Sequence, residues 1–341
     1  MDHSRNDWHE MIAYRSIADL NETIIRNMHR VPRDIDLVVG IPRSGLLAAN
    51  ILALHLNLPL TDLDGFLAGR LLNGGVRTKK HSLVLDGSQK LKVLVIDDSL
   101  WSGNSIQSAR SRIESTGVSH NILYGAVFVN PTNVKQADLW FEKVRPPRVF
   151  EWNIMHCAIL ERSCVDIDGV LCRDPTPEEN DDGPKYEEFL RTAEPLLLPT
   201  VPVGWLVTCR LEKYRRQTEQ WLTEHGVQYG ELVMMDLPSK EARIASGSHA
   251  RFKAEVFKAT DAMLFLESSA RQAQEIAVRA GKSVFCLETR RMEQPGLRIP
   301  NRSDLKRALR WCYRKARGTA GRVVRTFVRS KRNNPDDPAH R

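Results

Sequence analysis

Two stretches of the chain run from apolar residues straight into carboxylates. The first is Val93-Leu94-Val95-Ile96-Asp97-Asp98, followed by Ser99-Leu100-Trp101-Ser102-Gly103-Asn104-Ser105. The second is Cys164-Val165-Asp166-Ile167-Asp168-Gly169. Vicinal carboxylates are natural acceptors for the neighbouring hydroxyls of a ribose, and the small residues behind them can nest their amides around a phosphate. Carboxylates two residues apart on an extended segment fall on the same side. Such a pair can divide labour, one attacking phosphorus while the other protonates the leaving oxygen. Together the two stretches predict a chain that makes a phosphorylated product and then removes the phosphate.

A second loop supports the first site. Val39-Gly40-Ile41-Pro42-Arg43-Ser44-Gly45 follows an apolar run and offers two glycines and an arginine suited to a diphosphate. Loops at the carboxyl ends of parallel strands are where open α/β sheets bind ligands. Residues 93–105 resemble the phosphoribosyl diphosphate (PRPP) motif of type I phosphoribosyltransferases, with Ser102 and Ser105 where the family has threonines. Residues 39–45 resemble that family's diphosphate loop and 70–80 its lid, and the resemblance covers roughly 10–155. It implies PRPP contacts from Arg43, Ser44, Gly45, Asp97, Asp98, Ser99, Ser102, Gly103, Asn104, Ser105, Arg70 and Arg77, with Asp97 and Asp98 also catalytic. The implied reaction is a Mg²⁺-dependent attack on C1 of PRPP through an oxocarbenium-like transition state, diphosphate departing with help from cations. Blander readings stand beside it. An acidic pair after a strand can simply cap a helix, a basic loop can be merely solvated, and Trp152 can be core rather than acceptor wall.

Downstream of Asp166 and Asp168 come Trp205-Leu206-Val207-Thr208, then His249 to Lys253, then Ala262 to Glu267-Ser268. Asp-x-Asp, a hydroxyl, a lysine and an acidic strand end, in that order over roughly 160–290, resemble the haloacid-dehalogenase-like (HAD) phosphatases. The resemblance implies Asp166 as nucleophile, Asp168 as general acid and base, and Thr208 and Lys253 as holders of the phosphoryl group. It also implies Mg²⁺ on Asp166, Glu267 and the Asp168 carbonyl. Ser268 or Ser269 stands where a second acid is expected, and Lys240 is the alternative lysine. About thirty-five residues separate Asp168 from the next strand, too few for a large cap, so the site should admit a bulky substrate.

These loops need two parallel sheets to position them. Apolar spacing predicts a helix from Trp8 to Met28, then strand 36–40, helix 45–56, a Gly/Arg/Lys-rich loop over 61–90, strand 91–96, helix 105–115 and strand 122–129. A second series has strands at 163–167, 203–207, 232–235, 262–266 and 283–287, with helices at 186–193, 212–225, 250–259 and 269–280. The expected fold class is α/β: two doubly wound parallel-sheet domains, phosphoribosyltransferase-like then HAD-like, plus a basic C-terminal helical tail. The expected boundaries are 1–158, 159–297 and 298–341.

The 341 residues carry a net charge of +8, unevenly spread. Residues 301–341 hold thirteen Lys or Arg against three Asp, a net of +10 that leaves the rest at −2. The tail places Leu305, Leu309, Trp311 and Phe327 among basic residues, the pattern of an anchor on an anionic membrane surface. RNA binding and docking on the protein itself are its competitors. No apolar stretch spans a bilayer, no secretory signal opens the chain, and six cysteines show no framework. The expected location is the cytoplasm, peripheral on the inner face of the cell membrane. The leading reading is transfer of 5-phosphoribosyl from PRPP to a bacterial glycan acceptor, lipid-linked or free, followed by loss of the 5-phosphate; a homodimer fits that family. The alternatives are a nucleobase phosphoribosyltransferase fused to a nucleotidase, and a non-catalytic PRPP- or RNA-binding regulator.

Overall fold

The computed structural model describes residues 11–72, 77–78, 83–85, 89–247 and 249–296. The chain opens with strand β1 (Ala13–Arg15) and helix α1 (Ile17–Asn27). The Ser16 side chain accepts from the Asp19 amide, and the Asp19 side chain accepts from the Ser16 amide. That reciprocal cap fixes where α1 begins. The helix expected from Trp8 onward is therefore shorter, because residues 13–15 pair with a distant strand; Trp8 lies outside the described residues.

Strand β2 (Leu37–Gly40), helix α2 (Gly45–Leu56), strand β3 (Leu60–Asp62), helix α3 (Leu63–Leu67), strand β4 (Lys92–Leu100), helix α4 (Asn104–Ser115) and strand β5 (Asn121–Val129) follow, then β6 (Leu139–Lys143) and β7 (Arg148–Phe150). Five of these strands form a parallel sheet in the order β3-β2-β4-β5-β6. The crossovers cover both faces. Leu20, Ile24, Ala48 and Leu52 pack on one face, and Phe66, Ile106, Ala109 and Ile113 on the other. β2 is buried along its whole length, as a strand between two helical layers must be. The segment expected as one loop from 61 is ordered at its start, where β3 ends and α3 forms.

The second half runs β8 (Ser163–Val165), α5 (Pro184–Thr192), β9 (Val203–Leu211), α6 (Arg215–Glu224), β10 (Tyr229–Met235), α7 (Lys240–Ser246), α8 (His249–Ala259), β11 (Leu264–Glu267), α9 (Ala270–Ala280), β12 (Ser283–Cys286) and β13 (Arg291–Glu293). The sheet order is β10-β9-β8-β11-β12-β13, parallel except for β13. Helices again cover both faces. The α/β class with parallel sheets is thus what the apolar spacing predicted; the short helix α7 was not anticipated.

The two sheets belong to one compact unit that extends to residue 295. β1 pairs with β7, and Ile12 and Val149 join the apolar core beneath β8 and β9. The Tyr14 ring lies tilted 5.5 Å from that of Phe285, and Tyr14 donates to the Arg290 carbonyl at 2.8 Å. The division expected at 158 falls at the start of the second of two short 3-10 helices, Glu151–His156 and Ala158–Arg162. The basic tail, with its anchor residues, lies outside the described residues. Among those described, no helix is long and apolar enough to cross a membrane.

Candidate active sites at two sheet edges

The first candidate site sits where β4, between β2 and β5, reaches its carboxyl end. Asp97 and Asp98 finish the apolar run and are buried, at 7% and 3% exposure. Burial and the adjacent Asp98 carboxylate push Asp97 well above the usual carboxylate range. The Asp98 amide donates to Asp97 Oδ1 at 2.9 Å, and Trp152 Nε1 donates to Asp98 Oδ2 at 2.9 Å. Trp152 also stacks on Phe150, so it is both a packed aromatic and a partner of the acidic pair. Arg148 donates from Nη2 to the Leu100 carbonyl at 2.9 Å and lies 5.2 Å from the rings of Trp101 and Phe150. Burial lowers its pKa to about 10 against the pull of Asp98.

The loop at 43–45 reaches this pair. A side chain on Gly45 would meet Asp97 Oδ1 and the Ile96 carbonyl at 2.9 Å, so glycine is what allows α2 to begin against the acids. Ser44 precedes it half-buried and Arg43 is exposed. Ser99 is the penultimate residue of β4; beyond the strand Gly103 turns with φ +87°, and Ser102, Asn104 and Ser105 are exposed around the start of α4. Ser102 Oγ accepts from the Asn104 amide at 3.4 Å. With Gln107, Arg110 and Lys135 these residues line a polar hollow of about 480 Å³. Arg70 and Arg77 are exposed and held through their carbonyls, which accept from Thr61 Oγ1 and Asn57 Nδ2. Neither guanidinium bonds to the acidic pair among the described residues, and most of the expected lid (73–76 and 79–80) lies outside them.

The second candidate site forms at the carboxyl end of β8, flanked by β9 and β11. The Asp166 amide donates to the Leu266 carbonyl, which sets Asp166 level with Glu267. Lys253, reaching in from α8, places Nζ 2.7 Å from Asp166 Oδ2 and 2.7 Å from Glu267 Oε2. All three are buried. Burial, then Glu267 and Asp168, push Asp166 up to about 7 against the pull of Lys253. Burial works against the Lys253 ammonium, but Asp166 and Glu267 outweigh it and raise its pKa. Of the two candidate lysines, Lys253 is therefore the one at the carboxylates; Lys240 Nζ instead donates to the Asn180 carbonyl. Thr208, fully buried, accepts from the Arg210 amide at 3.2 Å.

Asp168 is held by a residue the sequence reading missed. Arg210, fully buried, contacts its carboxylate through Nε at 3.1 and 3.2 Å and Nη2 at 2.7 Å. The Glu267 oxygens are also engaged, by Lys253 and by the Ser269 amide. No group of three or more metal-capable side chains converges among the described residues. Of the groups expected to hold Mg²⁺, the Asp166 and Glu267 carboxylates are bridged by the Lys253 ammonium, while Arg210 holds the Asp168 side chain rather than the backbone carbonyl expected as the third ligand. A cavity of about 150 Å³ opens over Asp166 and Asp168, bounded also by Asp174, Asn180, Arg243 and His249, none of which a local motif would have marked.

Residues 8–151 match the phosphoribosyl transferase domain family. That match supports a type I phosphoribosyltransferase domain over residues 8–151 and does not extend to the rest of the chain. Similar solved structures include the xanthine-guanine-hypoxanthine phosphoribosyltransferase of Helicobacter pylori, at 17% identity over 42% of this chain and 92% of that one, with a TM-score of 0.31. A purine phosphoribosyltransferase from Pyrococcus horikoshii gives 16%, 41%, 92% and 0.30, and the orotate phosphoribosyltransferase of Aeropyrum pernix 18%, 37%, 71% and 0.26. No curated protein matches the chain.

Proposed function

We propose that the chain is a bifunctional enzyme that transfers 5-phosphoribosyl from PRPP to a glycan hydroxyl and then hydrolyses the 5-phosphate. The observation that carries it is the presence, in one compact unit, of an acidic pair and a buried carboxylate–lysine cluster, each at the carboxyl edge of its own parallel sheet. In the first step Asp97 and Asp98 accept the ribose hydroxyls, while loops 43–45 and 102–105 present amides and hydroxyls to the two phosphate groups. The C1–O bond to diphosphate breaks as the acceptor oxygen bonds to C1, and the acceptor's proton passes to the departing diphosphate or to solvent. Two adjacent buried carboxyl groups fit hydroxyl donors or a cation, and Mg²⁺ would supply charge neutralisation to the diphosphate.

In the second step Asp166 attacks phosphorus and the sugar oxygen leaves with a proton from Asp168. Water then releases inorganic phosphate and regenerates Asp166. Lys253 and Thr208 hold the phosphoryl oxygens. Hydrolysing a nucleotide would undo nucleobase salvage, which favours a glycan over a free base as acceptor. The test incubates the full chain with PRPP and bacterial glycan acceptors. Diphosphate and a ribosylated glycan should form, and Asp166→Asn should accumulate the phosphoribosyl product. Turnover of PRPP with free nucleobases alone would move the assignment to a base phosphoribosyltransferase fused to a nucleotidase.

A further inference from the structure

Among the described residues, Arg243 is the cation of the second site that pairs with no carboxylate. Lys253 lies between Asp166 and Glu267, and Arg210 is taken by Asp168. Arg243, lining the same cavity, meets neutral partners among the described residues: Nη1 donates to the Cys209 carbonyl at 3.2 Å, Nη2 to Asn180 Oδ1 at 3.3 Å, and the side chain also hydrogen-bonds Tyr186. Its Nε is buried without any partner. A buried donor left unbonded is costly, and a guanidinium in that state has capacity for an anion.

The position is built. Helix α7 starts at Ser239, whose Oγ accepts from the Ala242 amide at 3.3 Å. Asp182 accepts from the Lys240 amide at 3.1 Å, from Lys213 Nζ at 3.0 Å and from Tyr214 Oη at 2.9 Å. These contacts fasten α7 to the segment between β8 and α5 and to the end of β9. Arg243 donates to the carbonyl of Cys209, the residue that follows Thr208 on β9 and that lines the same cavity.

We propose that Arg243 is a substrate-binding residue of the second site, gripping the oxygens of a phosphomonoester that enters over Asp166. The inference rests on the phosphatase reading above. A guanidinium fork matches phosphate oxygens in a way an ammonium does not. A cavity of about 150 Å³ holds the phosphoryl group with the first atoms of its ester and leaves the sugar and its attached chain outside. Asn180 would then orient the fork rather than compete for it.

The test measures hydrolysis of p-nitrophenyl phosphate by the full chain, with inorganic phosphate as competitor, in wild type, Arg243→Met and Arg243→Lys. Loss of one charge-assisted contact should raise both KM and the phosphate inhibition constant by about tenfold to a hundredfold in Arg243→Met, with kcat changed less. Arg243→Lys should lie between the two, and it carries the test alone if the methionine variant does not fold. If Arg243 merely ties α7 to β9, thermal stability falls while phosphate inhibits the folded variants as it does the wild type; that result overturns the proposal and leaves the phosphatase reading intact. A wild type that neither hydrolyses the ester nor binds phosphate overturns both.

Discussion

Arg210 grips Asp168 from inside the protein: the guanidinium is fully buried, and three of its contacts to the carboxylate lie between 2.7 and 3.2 Å. The same guanidinium donates to Cys172 Sγ at 3.2 Å and lies 5.8 Å from the Phe189 ring. A fork of this kind fixes the direction of the Asp168 carboxyl before any substrate arrives. Removing one partner strands a charge. Arg210→Met should cost about 3–5 kcal/mol of stability, read from urea unfolding. Asp168→Asn should cost a comparable amount, and the double variant should recover part of the loss. Additive losses would show that the pair is not coupled.

Asp166 makes stability and hydrolysis depend on pH in opposite senses. Its carboxyl, ordinarily near 3.8, is pushed up to about 7 by burial in the folded protein. The folded state therefore keeps the extra proton between these values. Its contribution is fully present below about 4 and is lost as pH rises to about 7. Wild type should lose more stability than Asp166→Asn across that window, by more than about 1 kcal/mol. Hydrolysis needs the carboxylate, so its rate should rise through about 7. Glu267→Gln removes a neighbouring charge and should move that midpoint down, as a pH–rate profile will report.

Trp152 lends its indole N–H to Asp98 at 2.9 Å. Trp152→Phe keeps the ring in the stack with Phe150 and removes only the donor. A hydrogen bond to a charged group is worth about 1.5–3 kcal/mol, so KM for PRPP should rise by about tenfold or more. Hydrolysis at the second site should not change. Initial-rate kinetics of diphosphate release check both.

Gly45→Ala should injure the first site through backbone geometry. The new methyl would lie 2.9 Å from both Asp97 Oδ1 and the Ile96 carbonyl, and neither belongs to a flexible chain end. Overpacking of this kind costs about 1–3 kcal/mol. PRPP turnover should fall more than thermal stability does, with p-nitrophenyl phosphate hydrolysis retained.

Lys253→Met should abolish hydrolysis and lower stability by about 3–5 kcal/mol, because Asp166 and Glu267 would face each other without the cation. Lys240→Met removes only a bond to the Asn180 carbonyl and should leave most of the activity. Equal losses from the two would undo the assignment of Lys253.

What the sequence by itself determined is local. β2, α2, β4, α4 and β5 were legible because buried parallel strands read as unbroken apolar runs, and the helices between them carry apolar residues around their inner faces. The two acidic strand ends were legible for the same reason, since a charged residue closing such a run stands at the sheet edge. Residues 13–15 were not: three residues can be strand or helix, and only pairing with 148–150 decided it. The order of motifs favoured Lys253 and the tertiary structure put it, rather than Lys240, at the carboxylates; the tertiary structure alone put Trp152 on Asp98 and brought Arg210 and Arg243 to the second site. Arg210 stands 42 positions from Asp168, and Arg243 34 from Cys209. Contacts at such separations leave no periodic trace, because they depend on which strands lie side by side and which helix crosses above them.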